Sequence, residues 1–293
     1  MNYQIKLVLS YDYATPAGHG HHVLCLLPMD AGPDQSLLSA TLEVSPQPEE
    51  RLEHRDFFGN RFTEIKFRAP HDTIRVTMTA QVARGEGTVQ RDGSLPLADL
   101  PARLAELRDL GAQSPLHFLA PSGRVPRDAA MTRFAQDAVQ PGMNVAEAAL
   151  AVGRALHRHM RFAPDATDVT TPAQDAFARR AGVCQDFSHI LIACLRGIGI
   201  PAGYVSGFLR TLPPPGQPRL EGADAMHAWV RVWCGGACGW IEFDPTNDML
   251  AGADHVVVAR GRDYSDVAPI KGALRLSGGQ TSQLTVDMAP GPA

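Results

Sequence analysis

Three residues in the second half of the chain have types and positions suited to nucleophilic catalysis, and the first of them is Cys184. It follows a glycine and a valine at the predicted first turn of a helix, where free backbone N–H groups and the helix dipole favour an anion. The thiolate is the nucleophilic form of cysteine, so this position favours covalent chemistry. Gly182 is expected to let a substrate backbone approach closely. Taken alone, a cysteine at a helix start is more often a small buried hydrophobic residue.

A histidine and an aspartate follow on two predicted strands. Alternation places His227 on the same strand face as Trp229, and Asp244 ends the next strand. The short turn at residues 234–238 joins the two strands, so counting along the hairpin brings His227 and Asp244 to the same end. A carboxylate there can fix the tautomer of the imidazole, which can take the thiol proton and later protonate a leaving amine. Each residue alone would more often be a surface or turn residue, but together they predict a Cys-His-Asp triad.

The sequence around these residues contains three recognisable blocks. They are residues 182–189 (Gly-Val-Cys-Gln-Asp-Phe-Ser-His), 227–230 (His-Ala-Trp-Val) and 240–246 (Trp-Ile-Glu-Phe-Asp-Pro-Thr). The blocks resemble the bacterial transglutaminase-like proteins, a family of cysteine protease type within the papain-like superfamily. The separations of 43 residues from Cys184 to His227 and 17 from His227 to Asp244 are typical of its compact members. The resemblance implies that Cys184 is the nucleophile, His227 the general base and acid, and Asp244 the orienting carboxylate.

The first hundred residues have the period-two alternation of antiparallel strands. Strands are predicted at residues 3–9, 23–27, 38–44, 61–67 and 73–82, with a turn at residues 56–60 (Asp-Phe-Phe-Gly-Asn). This region is similar to the small β domain that precedes the core in the same family. Prolines then mark a connecting segment with one short helix at residues 102–110. The sequence therefore predicts an N-terminal β domain at 1–100, a connecting segment at 101–127 and a catalytic domain at 128–293.

The pattern changes to helical spacing in this last part. Helices are predicted from Asn144 to about Met160, at 173–180, and from Cys184 to about Gly199; strands are predicted at 202–209, 227–233, 239–243 and 255–259. Helices packed on an antiparallel sheet make an α+β fold. The resemblance sharpens this prediction to a papain-like or transglutaminase-like core preceded by a small antiparallel β domain.

The composition limits the classes of binding partner and the cell compartment that the sequence predicts. The chain has 293 residues, of which 44% are hydrophobic, a formal charge of -4 and an isoelectric point near 6.2. These values argue against a nucleic-acid or membrane partner, and no apolar stretch reaches the roughly 18 residues that span a bilayer. We expect a cytoplasmic protein with its five cysteines reduced, acting on a peptide or protein amide. The sequence gives no indication of oligomeric state.

A metal site is the competing use of the remaining cysteines and histidines. Its candidate ligands are Cys234, Cys238, His19, His21 and His22. Zinc sites usually have a C-x-x-C pair and a second matched pair, which this set lacks. We therefore expect ordinary turn cysteines, histidines in a solvated loop, and no metal or other cofactor.

The acyl acceptor is the last question that the sequence addresses. Animal transglutaminases use a tryptophan upstream of the cysteine, whereas Trp229, Trp233 and Trp240 all follow Cys184, and no acidic calcium loop is present. Water is therefore the favoured acceptor, which makes hydrolysis by a peptidase or amidase the leading reaction and amine transfer by a transglutaminase the second. A non-catalytic peptide-binding or assembly module that retains the fold is the alternative of another class.

Overall fold

The computed structural model describes residues 1–85, 93–211 and 224–291. The strands are β1 (Asn2–Leu24), β2 (Gln35–Ser45), β3 (Glu50–Arg55), β4 (Arg61–Phe67), β5 (His71–Arg84), β6 (Arg161–Phe162), β7 (Ala181–Gly182), β8 (Ala202–Leu209), β9 (Ala225–Gly235), β10 (Gly239–Asp244), β11 (Met249–Leu250), β12 (His255–Gly261), β13 (Ile270–Arg275) and β14 (Gln280–Pro290). The helices are α1 (Leu100–Glu106), α2 (Ala129–Ala138), α3 (Val145–His159), α4 (Ala173–Arg179), α5 (Cys184–Gly197) and α6 (Tyr264–Val267).

The first sheet, called the N-terminal sheet below, has seven strands with β1 at its centre. The first half of β1 pairs with β5 and β14, and its second half pairs with β4 and β13. The strands predicted at residues 3–9 and 23–27 thus belong to one long strand, β1, which ends at Leu24. Residues 270–290 join the N-terminal sheet through β13 and β14, although they are far from it in sequence. The division of the chain at residues 101–127 stays a prediction.

The histidines near residue 20 are not in a solvated loop, and that expectation was wrong. His19, His21 and His22 all lie within β1; His21 and His22 pair with β4 and β13, and His19 lies at an irregularity of the strand with a φ of 52°. Alternation turns His22 inward, so that it is 4% exposed. Burial lowers its pKa to about 4, aided by the neighbouring His71 and His21. The residue is therefore neutral at ordinary pH.

The predicted turn at residues 56–60 is present between β3 and β4. The N–H of Gly59 donates to the carbonyl of Asp56 over 3.1 Å, and Gly59 has a φ of 85°, which glycine adopts without a steric penalty. The side chain of Asp56 accepts hydrogen bonds from the N–H and the amide of Asn60. The buried Asn60 is thereby held pointing towards the second sheet, where it bonds to the backbone of Arg260.

The second sheet is antiparallel and has the strand order β11-β10-β9-β8-β12. α3 and α5 pack on one face, and the buried α5 residues Phe187, Leu191, Cys194 and Leu195 form part of that core. A smaller apolar cluster covers the opposite face; it contains Met29, Val205, Trp229, Ala251 and Val257. Helices on an antiparallel sheet, preceded by a β region, confirm the predicted α+β class.

The helices that position the site begin close to where the sequence predicts. α3 starts after Asn144, whose Oδ1 accepts the N–H of Glu147 over 2.9 Å while the Glu147 carboxylate accepts the N–H of Asn144 over 2.9 Å. α5 starts at Cys184. Within the three described ranges, no helix combines the length and the apolar character that crossing a membrane requires.

Candidate active site

Cys184 is the first residue of α5, and its side chain is partly exposed. Asp186 holds this helix start, because its Oδ2 accepts hydrogen bonds from the N–H of Val183 (2.8 Å) and from Oγ1 of Thr167 (2.6 Å). Burial raises the pKa of the Asp186 carboxyl, against the opposing effect of these two bonds. The first N–H groups of a helix have no acceptor within it. The thiol of Cys184 therefore lies at the positive end of α5.

Gly182 makes room for this cap. A Cβ atom at Gly182 would lie 2.5 Å from Oδ2 and 2.8 Å from Cβ of Asp186. Those separations are too short for non-bonded atoms, so any larger residue would displace the carboxylate from Val183. The expected close approach of a substrate backbone at Gly182 stays a prediction.

His227 and Asp244 form the hydrogen bond that the hairpin count predicts. They lie near the ends of the adjacent strands β9 and β10, and Nε2 of His227 is 2.7 Å from Oδ2 of Asp244. The side chain of Asp244 is fully buried, and that of His227 is 10% exposed. Their contact is thus almost entirely screened from water. A charge-assisted hydrogen bond is strong in such a buried environment.

The imidazole of His227 also interacts with the thiol of Cys184. Burial alone would lower the pKa of His227, but its interactions with Asp244 and Cys184 outweigh burial and raise the pKa to about 10. The ring is therefore protonated at neutral pH, and the thiol faces a positive charge. Because Asp244 binds Nε2, Nδ1 is the ring nitrogen available to Cys184.

Asp244 is held by several donors besides His227. Its Oδ1 accepts the backbone N–H groups of Thr246 (2.9 Å) and Asn247 (3.2 Å), and its Oδ2 accepts Nδ2 of Asn247 (2.7 Å) and Nε2 of His255 (3.3 Å). Burial alone would raise the pKa of this carboxyl, but the hydrogen bonds from His227 and His255 hold it well below its usual range. The carboxylate is thus charged and fixed in orientation.

Two family models match separate parts of this chain. Residues 3–83 match the bacterial transglutaminase-like N-terminal region, and residues 132–245, which include Cys184, His227 and Asp244, match the transglutaminase-like superfamily. An uncharacterized protein of Mycobacterium tuberculosis is 32% identical over 270 residues, which cover 87% of this chain and 82% of that protein. The chain belongs to the bacterial transglutaminase-like family. A second uncharacterized relative, from Mycobacterium leprae, is 29% identical over 285 residues and 95% of each chain.

A solved structure shares the fold of this transglutaminase-like chain. It is a candidate cysteine protease from Cytophaga hutchinsonii, with a TM-score of 0.77 and 24% identity. The match covers 99% of this chain and 90% of the other. The predicted architecture, a transglutaminase-like core preceded by a β domain, is therefore confirmed.

The tryptophans that follow Cys184 in this transglutaminase-like chain have structural partners. Nε1 of Trp229 donates to Oε2 of Glu242 over 2.7 Å, and Nε1 of Trp240 donates to the carbonyl of Gln113 over 3.2 Å. Glu242 is itself nearly buried, with a side chain that is 13% exposed, and accepts two hydrogen bonds from Arg260. The indole N–H groups of Trp229 and Trp240 are thus already hydrogen-bonded within the protein.

Sequence reasoning missed the residues that surround Asp244. Asn247 lies three positions after it, where an Asx-type turn after Asp-Pro could have suggested the bond to Asp244. His255 begins β12, at the far edge of the sheet from β10, so local pattern gives no signal for its contact. Glu242 gave no clear signal, because alternation places it on the strand face opposite the buried Ile241 and Phe243.

His227, Asp244 and His255 also form a group of the type that binds metal ions, with their ligand atoms within 4.8 Å of one another. The hydrogen bonds decide how this group is used. Nδ1 of His255 accepts the N–H of Gly252 over 3.3 Å, so Nε2 carries the proton and donates to Asp244. A metal at that Nε2 would require the proton on Nδ1, against the N–H of Gly252. The group therefore fits a hydrogen-bond network better than a metal site.

The other four cysteines are less suited to nucleophilic chemistry. Cys25, Cys194 and Cys234 are buried and free, and burial raises the pKa of Cys25 to about 12 and the pKa values of the other two well above their usual range. Cys238 is partly exposed at the β9–β10 turn, and burial raises its pKa too. Of the candidate zinc ligands, Cys234 and Cys238 lie in the β9–β10 hairpin. The histidines His19, His21 and His22 lie in β1 of the N-terminal sheet.

Proposed function

We propose that this chain is a thiol-dependent acyl-transfer enzyme that hydrolyses amide bonds of peptides or proteins. Cys184 is the nucleophile, His227 the general base and acid, and Asp244 the carboxylate that orients His227. The observation that carries the proposal is the position of His227, which is bonded to Asp244 at 2.7 Å and interacts with the Cys184 thiol at the positive end of α5.

The first half of the proposed reaction forms a thioester. The sulfur of Cys184, with its proton held on Nδ1 of His227, attacks the carbonyl carbon of the amide and forms a C–S bond. The backbone N–H of Cys184 is suited to donate to the developing oxyanion, because it needs no acceptor within the helix. The C–N bond then breaks, and His227 gives its proton to the leaving amine.

The second half releases the acid. Water attacks the thioester carbonyl, His227 takes one of its protons, and the C–S bond breaks to return the thiolate. If a primary amine attacks instead, the same steps give a new amide and a transglutaminase reaction. Water is the proposed acceptor, since the sequence has no tryptophan before Cys184 and no acidic calcium loop.

A substrate screen with matched variants tests the proposal. We would incubate the full chain with a peptide library and with glutamine amides, and measure released amines and acids. Cys184→Ala should abolish turnover, and Asp244→Asn should lower kcat by about a thousandfold or more, because an amide can donate to Nε2 and so favour the wrong imidazole tautomer. Cys238→Ala, which removes the other partly exposed thiol, should have no effect.

The same screen separates the enzyme from a binding module. A non-catalytic peptide-binding module would bind peptides equally well in the native chain and in Cys184→Ala, with no product from either. That result would contradict the proposed function.

A further inference from the structure

Asp244 has a second histidine partner, His255, which is the first residue of β12. Nε2 of His255 lies 3.3 Å from Oδ2 of Asp244, the same oxygen that binds His227. The N–H of Gly252 donates to Nδ1 of His255, which places the proton on Nε2. His255 is fully buried. It is therefore a donor to Asp244 that is fixed in one tautomer.

One indole ring packs against both histidines. The ring of Trp229 lies 5.2 Å from that of His255, edge to face, and 6.2 Å from that of His227, nearly parallel. Gly207 of β8, the strand between β9 and β12, gives the indole its space, since a Cβ there would lie 2.4 Å from the ring. A displacement of His255 would therefore press on the same ring that supports His227.

The strand that carries His255 is held by side chains of the N-terminal sheet. β12 lies at an edge of the second sheet, so one row of its backbone groups needs other partners. Oε1 of Gln35 accepts the N–H of Val257 (2.8 Å), and Nε2 of Gln35 donates to its carbonyl (2.7 Å). Asn60 makes the equivalent pair with Arg260, at 2.8 Å and 2.8 Å. The two amides thus take the place of a neighbouring strand.

A third contact reaches His255 itself. Nε of Arg84 donates to the carbonyl of His255 (2.8 Å), and its Nη1 donates to the carbonyl of Asp34 (2.9 Å). Arg84 ends β5 and is 6% exposed. Oη of Tyr3 donates to Oδ1 of Asp254, the preceding residue, over 2.8 Å. The backbone of His255 is therefore fixed from the N-terminal sheet at the residue that bonds Asp244.

We propose that His255 is a positioning residue for Asp244, and that the N-terminal sheet serves the active site by fixing the strand that carries His255. The proposal rests on the function proposed above. By holding Oδ2 of Asp244, His255 keeps Nε2 of His227 bonded to the carboxylate and its Nδ1 directed to Cys184. Arg84 acts indirectly, by holding the backbone carbonyl of His255.

Two substitutions at His255 separate the hydrogen bond from the packing. His255→Phe keeps a ring against Trp229 and removes the donor, whereas His255→Gln retains an N–H for Asp244 and an oxygen for Gly252. We would measure the rate at which iodoacetamide alkylates Cys184 and the low-field proton resonance of Nε2–H of His227. His255→Phe should slow alkylation about tenfold and shift or broaden the resonance, because small displacements of reacting groups are costly. His255→Gln should stay within about twofold of the native rate.

Arg84→Met tests the contribution of the N-terminal sheet, with Arg51→Met as its control. Arg51 belongs to the same sheet and also donates to a backbone carbonyl, that of Leu42, at 2.7 Å. Arg84→Met should slow alkylation several-fold and shift the His227 resonance, and Arg51→Met should do neither. Because Arg84 acts through His255, adding Arg84→Met to His255→Phe should slow alkylation little further.

The results that overturn the proposal are distinct from those that overturn the enzyme. A native alkylation rate and an unshifted His227 resonance in His255→Phe, or in Arg84→Met if His255→Phe does not fold, would show that these residues only stabilise the fold. If the effects of Arg84→Met and His255→Phe on the alkylation rate are fully additive, Arg84 does not act through His255. Neither readout uses a substrate, so a native chain that releases no amine contradicts the proposed function alone.

Discussion

His227 and Asp244 are a buried pair whose pKa values move in opposite directions. The bond between Nε2 and Oδ2 is 2.7 Å long, and neither side chain is more than 10% exposed. The pKa of His227 rises from 6.5 to about 10, and that of Asp244 falls below its ordinary value of 3.8. Each charged form is thus favoured by folding, which links the stability of the protein to pH.

The first prediction concerns the pH range in which this pair stabilises the fold. A raised histidine pKa gives stability that is fully present below 6.5 and is lost as the pH rises through about 10. A lowered aspartate pKa gives stability that is present above 3.8 and is lost as the pH falls through the folded value. The two ranges overlap between pH 4 and 6.5. His227→Gln should therefore cost most there, about 3 kcal/mol of the free energy of unfolding, and progressively less towards pH 10.

Urea unfolding of the native chain and His227→Gln at pH 5, 6, 7.5 and 9 measures this difference. Groups that do not contact His227 titrate equally in both proteins and cancel. His54→Gln is the control, because His54 is an exposed histidine of β3, 3.8 Å from Glu64. A His227→Gln cost that did not change with pH would contradict the assigned pair.

The second prediction is that Cys184 is the reactive thiol. Near pH 6, iodoacetamide should alkylate Cys184 at least about tenfold faster than Cys238, because burial raises the pKa of the Cys238 thiol, whereas Cys184 lies at the start of α5 beside His227. Cys238 is the matched comparison, as it is the other partly exposed thiol. Mass spectrometry of the digested protein gives both rates. His227→Ala should remove the preference, and equal rates in the native chain would exclude the enzyme.

The third prediction concerns the cap at the start of α5. Gly182→Ala should lower the free energy of unfolding by about 2 kcal/mol and slow the alkylation of Cys184, because the added methyl displaces Asp186 from Val183. Gly123→Ala is the control, since a Cβ there meets no atom within 4 Å. Thermal unfolding and alkylation rates test both.

A double variant identifies the cause. In a chain that already carries Asp186→Ala, the substitution Gly182→Ala should cost little more, because the clash has been removed. If Gly182→Ala costs as much in the Asp186→Ala variant as in the native chain, the added methyl does not act through Asp186.

Local pattern predicted the centre of the site because its residues are joined by short connections. His227 and Asp244 lie on two strands linked by a three-residue turn at 236–238, so counting along an antiparallel hairpin brings them together, as the register of β9 and β10 shows. The start of α5 followed from the glycine before it and the apolar spacing after it. The catalytic roles of Cys184, His227 and Asp244 stay a prediction until the substrate screen is done.

The contacts that sequence could not provide are those between distant segments. β14 pairs with β1 across almost the whole chain, and His255 meets Asp244 only because the strand order places β12 beside β8. The inward turn of His22 likewise depends on pairing with β4 and β13. Alternation shows which residues share a face, but it does not show which strand will be the neighbour.

The fourth prediction concerns the buried charge next to this site. Glu242 accepts hydrogen bonds from Nε1 of Trp229 at 2.7 Å and from Nε and Nη2 of Arg260 at 3.0 and 2.6 Å. Burial alone would raise the pKa of Glu242, but Arg260 and Trp229 lower it, so the carboxylate is charged. Glu242→Gln leaves Arg260 without this buried counter-charge and should lower the free energy of unfolding by about 3 kcal/mol.

Glu50→Gln is the matched control for this substitution. Glu50 also pairs with two cations, Lys66 and Arg68, but its side chain is 42% exposed. Water screens such a pair, so its loss should lower the free energy of unfolding far less than Glu242→Gln does. Urea unfolding of the two variants at pH 7 compares them directly. Equal costs would mean that the carboxylate of Glu242 is no more important to the fold than a surface charge.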